Sequence, residues 1–272
     1  MSTGARSGWL VAALAGFGAG LAGGLFGVGG GIVMVPVLTA FFGLTQHQAH
    51  GTSLAAVAAT ALAGIVVYGL SGHVAWLPAA LMAVSGAFTA RLGARLAART
   101  GRERLALAFA WFVLAMGVRI LWRAPVGEHA ALSGGPFSGP VGIAAALAVG
   151  AAVGLLAGYM GVGGGVIAVP ALTLLFGMSQ QTAQGTSLAL ILGSAPFGAV
   201  EHARHGNVDQ KLLPGLMLGA LLGAPLASWA AQRLPQATLA RGFAIFLIAN
   251  ALRMMWAARA GRAPKAGSGS QA

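Results

Sequence analysis

An internal duplication constrains the fold of this chain more than any other sequence feature. Residues 27–55 have the sequence GVGGGIVMVPVLTAFFGLTQHQAHGTSLA, and residues 161–189 have the sequence GVGGGVIAVPALTLLFGMSQQTAQGTSLA. The two stretches align without a gap and are identical at 18 of 29 positions. The same offset relates Gly16 to Gly150 further upstream. The chain is therefore predicted to contain two tandem copies of one unit.

Each copy contains five apolar segments. They span about residues 9–26, 31–43, 51–70, 76–98 and 103–122 in the first copy, and about 139–158, 166–177, 185–200, 211–231 and 237–256 in the second. Four segments per copy approach the roughly 20 residues that a membrane-spanning helix needs. The second segment of each copy is short, follows glycines and contains a proline, Pro36 or Pro170.

The composition indicates that lipid is the solvent for these segments. Hydrophobic residues make up 57% of the 272 residues and charged residues only 7%, whereas a soluble domain is about a quarter charged. The net charge of +12 comes from arginines and lysines outside or at the ends of apolar segments. There they act as topology signals and headgroup anchors, and they do not indicate nucleic-acid binding. The predicted fold class is an all-α polytopic membrane protein.

The predicted organisation follows from the duplication. Residues 1–122 form the first transmembrane repeat, and residues 123–138 form a linker rich in Gly, Pro and Ser. Residues 139–256 form the second repeat. Residues 257–272 are predicted to be a disordered basic tail.

The distribution of Lys and Arg favours an inverted second copy. If each copy crosses the membrane four times, the 16 basic residues divide seven against nine. If each copy crosses five times, they divide twelve against four. Because cytoplasmic loops collect basic residues, we expect about ten membrane segments, inverted repeats and both termini in the cytoplasm. The short second segments would then lie near the midplane.

The glycine clusters are the strongest candidate for a binding site. Short segments interrupted by Gly or Pro, at corresponding positions of two halves, indicate the substrate site of a transporter. The helices that begin near these glycines would offer free N–H groups and a positive dipole end to an anion. The predicted substrate-binding glycines are Gly29, Gly30, Gly31, Gly163, Gly164 and Gly165. Close packing of helices is the alternative role for glycine, and it is favoured for Gly16, Gly20 and Gly24.

Matched polar residues add further donors to this site. A second pair of helix starts is expected at residues 51–53 and 185–187, where hydroxyls would either cap the helices or bind the ligand. Amides at two matched positions would contribute as well. The residues concerned are Thr52, Ser53, Thr186, Ser187, Gln46 and Gln180. The predicted site has no formal charge, which suits an oxyanion that must be released again.

Few titratable residues lie near the apolar segments. Glu201, at the end of the third segment of the second copy, is the one candidate for coupling transport to another ion. The histidines at positions 47, 50, 73, 202 and 205 are expected to be solvated residues of loops or helix ends. No catalytic constellation, metal cluster or phosphate-binding nucleotide loop is present in the sequence, so we expect neither an enzyme nor a cofactor.

The duplicated pattern G-x-G-G-G…V-P-x-L…F-G…Q-x-x-A-x-G-T-S resembles that of the TauE/SafE sulfite exporter family, also called the four-toluene-sulfonate uptake permeases. The resemblance covers residues 9–256. It implies transport of sulfur oxyanions or organosulfonates across a bacterial cytoplasmic membrane. The family is often described with about eight spans, in contrast to the ten membrane segments that the basic residues favour.

The predicted function is transport of a small anion such as sulfite, by export driven by membrane potential or by proton-coupled transport. The expected partners are this anion and the lipid bilayer, but no nucleic acid. The sequence leaves open whether the chain forms a homo-oligomer. Three alternatives also stay open: a permease for another small solute, a membrane scaffold subunit without transport activity, and an integral membrane enzyme.

Overall fold

The computed structural model describes residues 3–97, 103–122, 139–160 and 163–260. These residues form ten α-helices: α1 (Thr3–Phe26), α2 (Gly31–Phe41), α3 (Gln46–Leu70), α4 (Trp76–Ala97), α5 (Glu103–Trp122), α6 (Pro140–Met160), α7 (Gly165–Leu174), α8 (Gln180–Arg204), α9 (Leu213–Arg233) and α10 (Gln236–Ala260). The described residues contain no β-strand. The predicted linker and most of the predicted tail lie outside the described residues.

All ten predicted segments correspond to helices, but the third helix of each copy begins earlier than predicted. The expected starts at residues 51–53 and 185–187 are wrong, because α3 and α8 begin at Gln46 and Gln180. Thr45 caps α3 by accepting a hydrogen bond from the Gln48 N–H, and Ser179 caps α8 in the same way. The polar run after each cap is therefore helical.

The second helix of each copy is short and begins directly after a glycine. Gly30 and Gly164, the residues before α2 and α7, have φ angles of 80° and 76°, in the left-handed region that glycine adopts without strain. The two helices contain 11 and 10 residues. At 1.5 Å per residue they are about 15 Å long, half of the hydrocarbon thickness of a bilayer.

Helices α1 and α9 lie side by side. Gly16 contacts the backbone of Leu216, and Gly24 contacts the backbone of Ala224. Residue numbers rise together along both helices, so α1 and α9 are parallel. The approach requires glycine because a Cβ atom at Gly24 would collide with the carbonyl oxygen of Ala224. The packing role predicted for these α1 glycines agrees with this geometry.

Helices α4 and α6 form the corresponding parallel pair. Gly150 contacts the backbone of Met82, and Gly158 contacts that of Ala90. These contacts match those between α1 and α9, since Gly150 and Met82 correspond in sequence to Gly16 and Leu216. The first helix of each copy therefore packs on the fourth helix of the other copy, so that the two copies interlock.

Helices α3 and α8 cross in the interior and run in opposite directions. Gly64 of α3 contacts Leu188 near the start of α8, whereas Gly198 near the end of α8 contacts Leu54. Both helices carry many buried polar side chains. Among them Thr52, Ser53, Thr60, Gln180, Gln184, Thr186, Ser187 and Ser194 are buried. Polar groups thus face the interior, as expected for a protein whose exterior contacts lipid.

The remaining contacts fix the relative directions of the two halves. Helix α3 is parallel to α9, since Gly51 lies beside Asn207, just before α9, and Gly64 lies beside Ser228. Helix α8 is parallel to α4 by the equivalent contacts. Helices α1, α3 and α9 therefore point one way, and α4, α6 and α8 point the other way. Corresponding helices of the two copies are antiparallel, which is the geometry of an inverted second copy.

The outer helices present apolar side chains to the surroundings. Leu14 of α1, Phe88 of α4 and Trp256 of α10 are more than 70% exposed. Within the described residues, six helices are long and apolar enough to cross a membrane, namely α1, α3, α4, α6, α9 and α10. The protein is therefore a multi-pass membrane protein.

Basic side chains concentrate at one end of the bundle. Arg91 and Arg95 lie in the last turns of α4, and Arg204 ends α8. Because α4 and α8 are parallel, these arginines share one end. Arg233 at the end of α9 lies at the opposite end. This asymmetry agrees with the division of basic residues that predicts ten membrane segments.

Candidate functional site

The two glycine loops meet each other inside the protein. A Cβ atom at Gly165 would lie 2.5 Å from the carbonyl oxygen of Gly27 and 2.5 Å from Cα of Val28. One at Gly163 would lie 3.2 Å from the carbonyl oxygen of Val28. The loop before α7 thus contacts the loop before α2 through the backbone. The predicted site glycines of the two copies, all of which are buried, are brought together.

Helices α2 and α7 begin in this buried region without a side-chain cap. Their N-cap residues, Gly30 and Gly164, have no side chain that could accept a hydrogen bond from the first turn. The Gly30 carbonyl oxygen accepts hydrogen bonds from the N–H groups of Val33 and Met34, at 3.1 and 3.0 Å. The Gly164 carbonyl oxygen likewise accepts from Ile167 and Ala168, at 3.0 Å each. Only the N–H groups before Val33 and Ile167 lie too early in α2 and α7 to find a carbonyl within the same helix. Each N-terminus therefore combines N–H donors with the positive end of a helix dipole.

Ser187 and Ser53 connect α8 and α3 to the glycine loops. The Ser187 hydroxyl donates a hydrogen bond of 2.7 Å to the carbonyl oxygen of Gly27. The Ser53 hydroxyl lies 3.5 Å from the carbonyl oxygen of Gly31. Both serines are fully buried. They occupy the site that the sequence predicts, where they fix the backbone of the loops.

Thr52 and Thr186 bond to the opposite copy. Neither residue caps its own helix, because each lies within a helix that begins more than a turn earlier. The Thr52 hydroxyl accepts a hydrogen bond of 2.9 Å from the Asp209 N–H, and the Thr186 hydroxyl accepts one of 3.0 Å from the Ala75 N–H. N-capping, one of the two predicted roles, is therefore excluded. Both threonines join the third helix of one copy to the segment before the fourth helix of the other.

The two predicted glutamines differ in their surroundings. Gln46 is exposed at the start of α3, so it does not lie with the buried glycines. Gln180, at the start of α8, is fully buried. Neither its Nε2 nor its Oε1 atom has a hydrogen-bond partner among the described residues. A buried amide without partners is costly, so Gln180 is available to bind a polar ligand.

The sequence analysis missed Gln184, which lies directly beside the first glycine loop. A Cβ atom at Gly27 would lie 2.6 Å from Cα of Gln184. The Gln184 side chain is fully buried, its Oε1 atom accepts a hydrogen bond of 2.9 Å from the Tyr68 hydroxyl, and its Nε2 atom has no partner among the described residues. The first copy has His50 at the matched position, so a search for identical residues passes over Gln184. A search for matched polar residues would have found it.

Two histidines are buried, in contrast to their predicted solvation. His202 is 2% exposed, and its Nε2 atom lies 3.0 Å from the carbonyl oxygen of Gly158. His50 is 8% exposed. His202 is the match in the second copy of Tyr68, whose hydroxyl lies 3.1 Å from the carbonyl oxygen of Gly24. The prediction failed because both histidines lie inside helices that extend further than expected.

Glu201, the predicted coupling residue, is held in an ion-pair cluster near the end of α8. Its Oε1 atom lies 2.9 Å from Nε of Arg95, and its Oε2 atom lies 3.7 Å from a guanidinium nitrogen of Arg204. The carboxylate is nearly buried, while both arginines are mostly exposed. Glu201 therefore joins α8 to α4 at the basic end of the bundle.

Taken together, the candidate site presents backbone and side-chain amide hydrogen-bond donors. The donors are the N–H groups at the starts of α2 and α7 and the Nε2 group of Gln184. Donors of this kind stabilise an anion. One cation is fixed beside this region, because the Arg253 guanidinium of α10 donates a hydrogen bond of 3.0 Å to the Ile32 carbonyl oxygen in the first turn of α2.

Known proteins match almost the whole chain. The family model described as "Sulfite exporter TauE/SafE" matches residues 11–254. A probable membrane transporter protein of Xylella fastidiosa strain 9a5c is 32% identical over 240 residues, which cover 87% of this chain and 91% of that protein. A probable membrane transporter protein of Haemophilus influenzae is 30% identical over 267 residues, covering 90% and 96%.

A third relative, the probable membrane transporter protein YunE of Bacillus subtilis, is 28% identical over 230 residues, covering 76% of this chain and 84% of that protein. No solved structure matches the chain significantly. The family match extends from α1 to α10 and includes both glycine loops. This chain is a membrane transporter that belongs to the TauE/SafE sulfite exporter family.

Proposed function

We propose that this transporter exports sulfite, or a related sulfur oxyanion or organosulfonate, across the cytoplasmic membrane of a bacterium. The observation that carries this proposal is the contact between the two glycine loops, which places two uncapped helix N-termini in one buried region. Donors at helix N-termini favour an anion over a cation or a neutral solute. The name of the matching family supports sulfite as the substrate.

Export of an anion requires no coupling ion in this scheme. A cell is negative inside, so one negative charge that leaves it gains about 2.3 kcal/mol per 100 mV. Glu201, the single acidic candidate for proton coupling, is engaged with Arg95 and Arg204. Membrane potential is therefore the proposed driving force.

Alternating access would follow from movement of one copy relative to the other. The matched hydrogen bonds of Thr52 with Asp209 and of Thr186 with Ala75 lie between the copies. In an inverted pair, these two contacts belong to opposite sides of the site. Opening one side would break one of the two hydrogen bonds while the other is retained.

The test is sulfite efflux from proteoliposomes that contain the purified protein, with an imposed potassium-diffusion potential and sulfate, thiosulfate and organosulfonates as competitors. We expect flux to rise with the potential and to be inhibited by sulfur oxyanions. Ser187→Ala should reduce flux, because it removes the hydrogen bond from the Ser187 hydroxyl to the Gly27 carbonyl oxygen, which holds the loop in place. Ser71→Ala, at the exposed end of α3, is the matched control and should leave flux unchanged.

Two other results would reject parts of the proposal. Flux of neutral solutes but of none of the anions would indicate a permease for another class of solute. No flux of any solute by folded protein would indicate a scaffold subunit. Glu201→Gln separates the driving forces, because proton-coupled transport should weaken sharply in this variant and potential-driven transport should not.

A further inference from the structure

A groove between α4 and α8 opens to the outside of the bundle near its basic end. It has a volume of about 400 Å³. The lining residues are Ala80, Ala83, Val84, Ala87, Phe88 and Arg91 of α4 together with Gly193 and Phe197 of α8. Apart from Arg91, every lining side chain is apolar. Val84 and Phe88 are 58% and 74% exposed, so the groove faces the surroundings and not the glycine loops.

Small residues create this groove, and the other half of the protein lacks them. The residues that match Ala83 and Ala87 in the second copy are Met217 and Leu221. In the same way, Ala59 corresponds to Gly193. Larger side chains thus stand at the equivalent places between α9 and α3. The small residues that widen this groove are therefore present in one half of the molecule and replaced in the other.

A cation closes one end of the groove. The guanidinium carbon of Arg91 lies 4.9 Å from the centre of the Phe197 ring, which orients the guanidinium by a cation–π contact. The equivalent positions in the other half are Pro225 and Ala63, which offer neither group. Arg95 and Arg204 lie at the same end of the bundle, and Glu201 is the acidic residue between them. This end of the groove therefore attracts an anion.

The length of the groove matches one leaflet of a bilayer. From Ala80 to Arg91 the helix rises about 16 Å at 1.5 Å per residue. Half of a hydrocarbon core of about 30 Å is about 15 Å. Arg91 lies six residues, about 9 Å, before the end of α4 and can extend its guanidinium toward the headgroup region, while Ala80 lies four residues after the start of the helix, so the groove covers the middle of α4.

We infer that this groove holds one acyl chain of an anionic phospholipid whose phosphate group binds Arg91. Charge complementarity at Arg91 selects an anionic lipid, and the apolar lining, about 16 Å long, selects the acyl chain. The lipid would contact both α4 of the first copy and α8 of the second. It would therefore bind across an interface between the two copies, independently of the substrate.

The test is native mass spectrometry of the purified protein released from micelles with equal amounts of phosphatidylglycerol and phosphatidylcholine. We expect the wild type to retain one phosphatidylglycerol molecule in preference, and Arg91→Ala to weaken this retention about fivefold, since one basic side chain near a membrane surface contributes that much. The double variant Ala83→Met, Ala87→Leu copies the filled half and should remove the retained lipid. Arg233→Ala is the matched control, because Arg233 stacks on Trp229 at 3.3 Å at the end of α9.

Three outcomes would overturn the inference. Equal retention of phosphatidylglycerol by wild type and Arg91→Ala would show that the Arg91 guanidinium does not bind the lipid phosphate. Retention unchanged in the filled-groove variant would remove the role of the groove. Displacement of the lipid by soluble glycerol phosphate at equal concentration would show that the headgroup alone binds. A thermal unfolding curve of each variant in detergent establishes that it is folded.

Discussion

Gln184 is the side chain best placed to bind the substrate directly. Its Nε2 atom is a buried donor without a partner among the described residues, and its backbone adjoins Gly27. Leaving such a donor unpaired costs about 1–3 kcal/mol, a cost that a bound anion would offset. Tyr68 fixes the orientation of the amide through Oε1. The Nε2 atom is thereby left as the donor for a ligand.

We predict that Gln184→Glu lowers sulfite flux at least tenfold. The substitution keeps an oxygen for Tyr68 but replaces the donor with an acceptor, and a hydrogen bond to a charged ligand contributes about 1.5–3 kcal/mol. The measurement is the initial efflux rate at a substrate concentration below KM. Gln210→Glu makes the same chemical change at an exposed position and should keep the wild-type rate. A Gln184→Glu rate within twofold of wild type would remove Gln184 from the site.

Two separate requirements favour glycine at position 164: its backbone conformation and its close contact with a neighbouring side chain. We predict that Gly164→Ala destabilises the protein by about 1–3 kcal/mol more than Gly177→Ala. Both glycines have positive φ, 76° and 64°, so alanine is strained at either position. A Cβ atom at Gly164 would also lie 2.5 Å from Cγ1 of Val153, whereas one at Gly177 meets nothing within 4 Å. Thermal unfolding in detergent measures the difference, and equal losses would show that the loop adapts.

Among the helices, the α1–α9 pair depends most directly on the size of individual residues. One face of α1 carries glycines that contact α9, while Gly18 lies on another face with open space around its Cα. In lipid, helices associate through such close contacts. The hydrophobic effect contributes little there, because lipid chains are as apolar as the side chains of a neighbouring helix. Added volume should therefore matter on the glycine face alone.

We predict that Gly20→Leu separates α1 from α9, and that Gly18→Leu does not. A Cβ atom at Gly20 would lie 2.8 Å from the carbonyl oxygen of Ala220, which is backbone and cannot move aside cheaply. The expected loss is about 1–3 kcal/mol, the usual cost of overpacking. Thermal unfolding of the two variants is the measurement. Both variants have the same composition, so equal melting temperatures would show that the α1–α9 contact does not limit stability.

The hydropathy pattern predicts all ten helices, because each apolar run is bounded by glycine, proline or charge. The starts of α3 and α8 could not be placed in the same way. Residues 46–53 and 180–187 are rich in polar side chains, which are typical of a loop, but many of these side chains bond to the opposite copy. Only the tertiary structure supplies those partners. The capping residue Thr45, followed three positions later by Gln48, was a local signal for the true start of α3.

The candidate site could be predicted from the sequence only in part. The duplicated glycines indicated the loops correctly, since identity between two copies marks a shared backbone requirement. The duplication hides residues that differ between copies, such as Gln184 opposite His50 and Tyr68 opposite His202. These differing residues are buried beside the loops. They give the two halves of the candidate site unlike side-chain chemistry.

At the scale of the whole molecule, the opposite directions of corresponding helices favour ten membrane segments over eight, which remains a prediction. Helices α3 and α8 are antiparallel, so their C-terminal ends lie at opposite ends of the bundle. Ser71 follows α3, and His205, its match in the second copy, follows α8. In two parallel copies these residues would face the same side of the membrane. In an inverted pair they face opposite sides.

We predict that Ser71→Cys is labelled from the periplasm and His205→Cys from the cytoplasm. Both positions are exposed, and the chain contains no cysteine, so each variant carries a single thiol. The measurement compares a membrane-impermeant maleimide on intact cells with the same reagent on inverted membrane vesicles. Protection of Ser71→Cys in intact cells, or labelling of both thiols from one side, would require parallel copies. If each copy crosses the membrane an odd number of times, the second copy starts on the opposite side from the first. The inverted arrangement therefore requires that the two thiols be labelled from opposite sides.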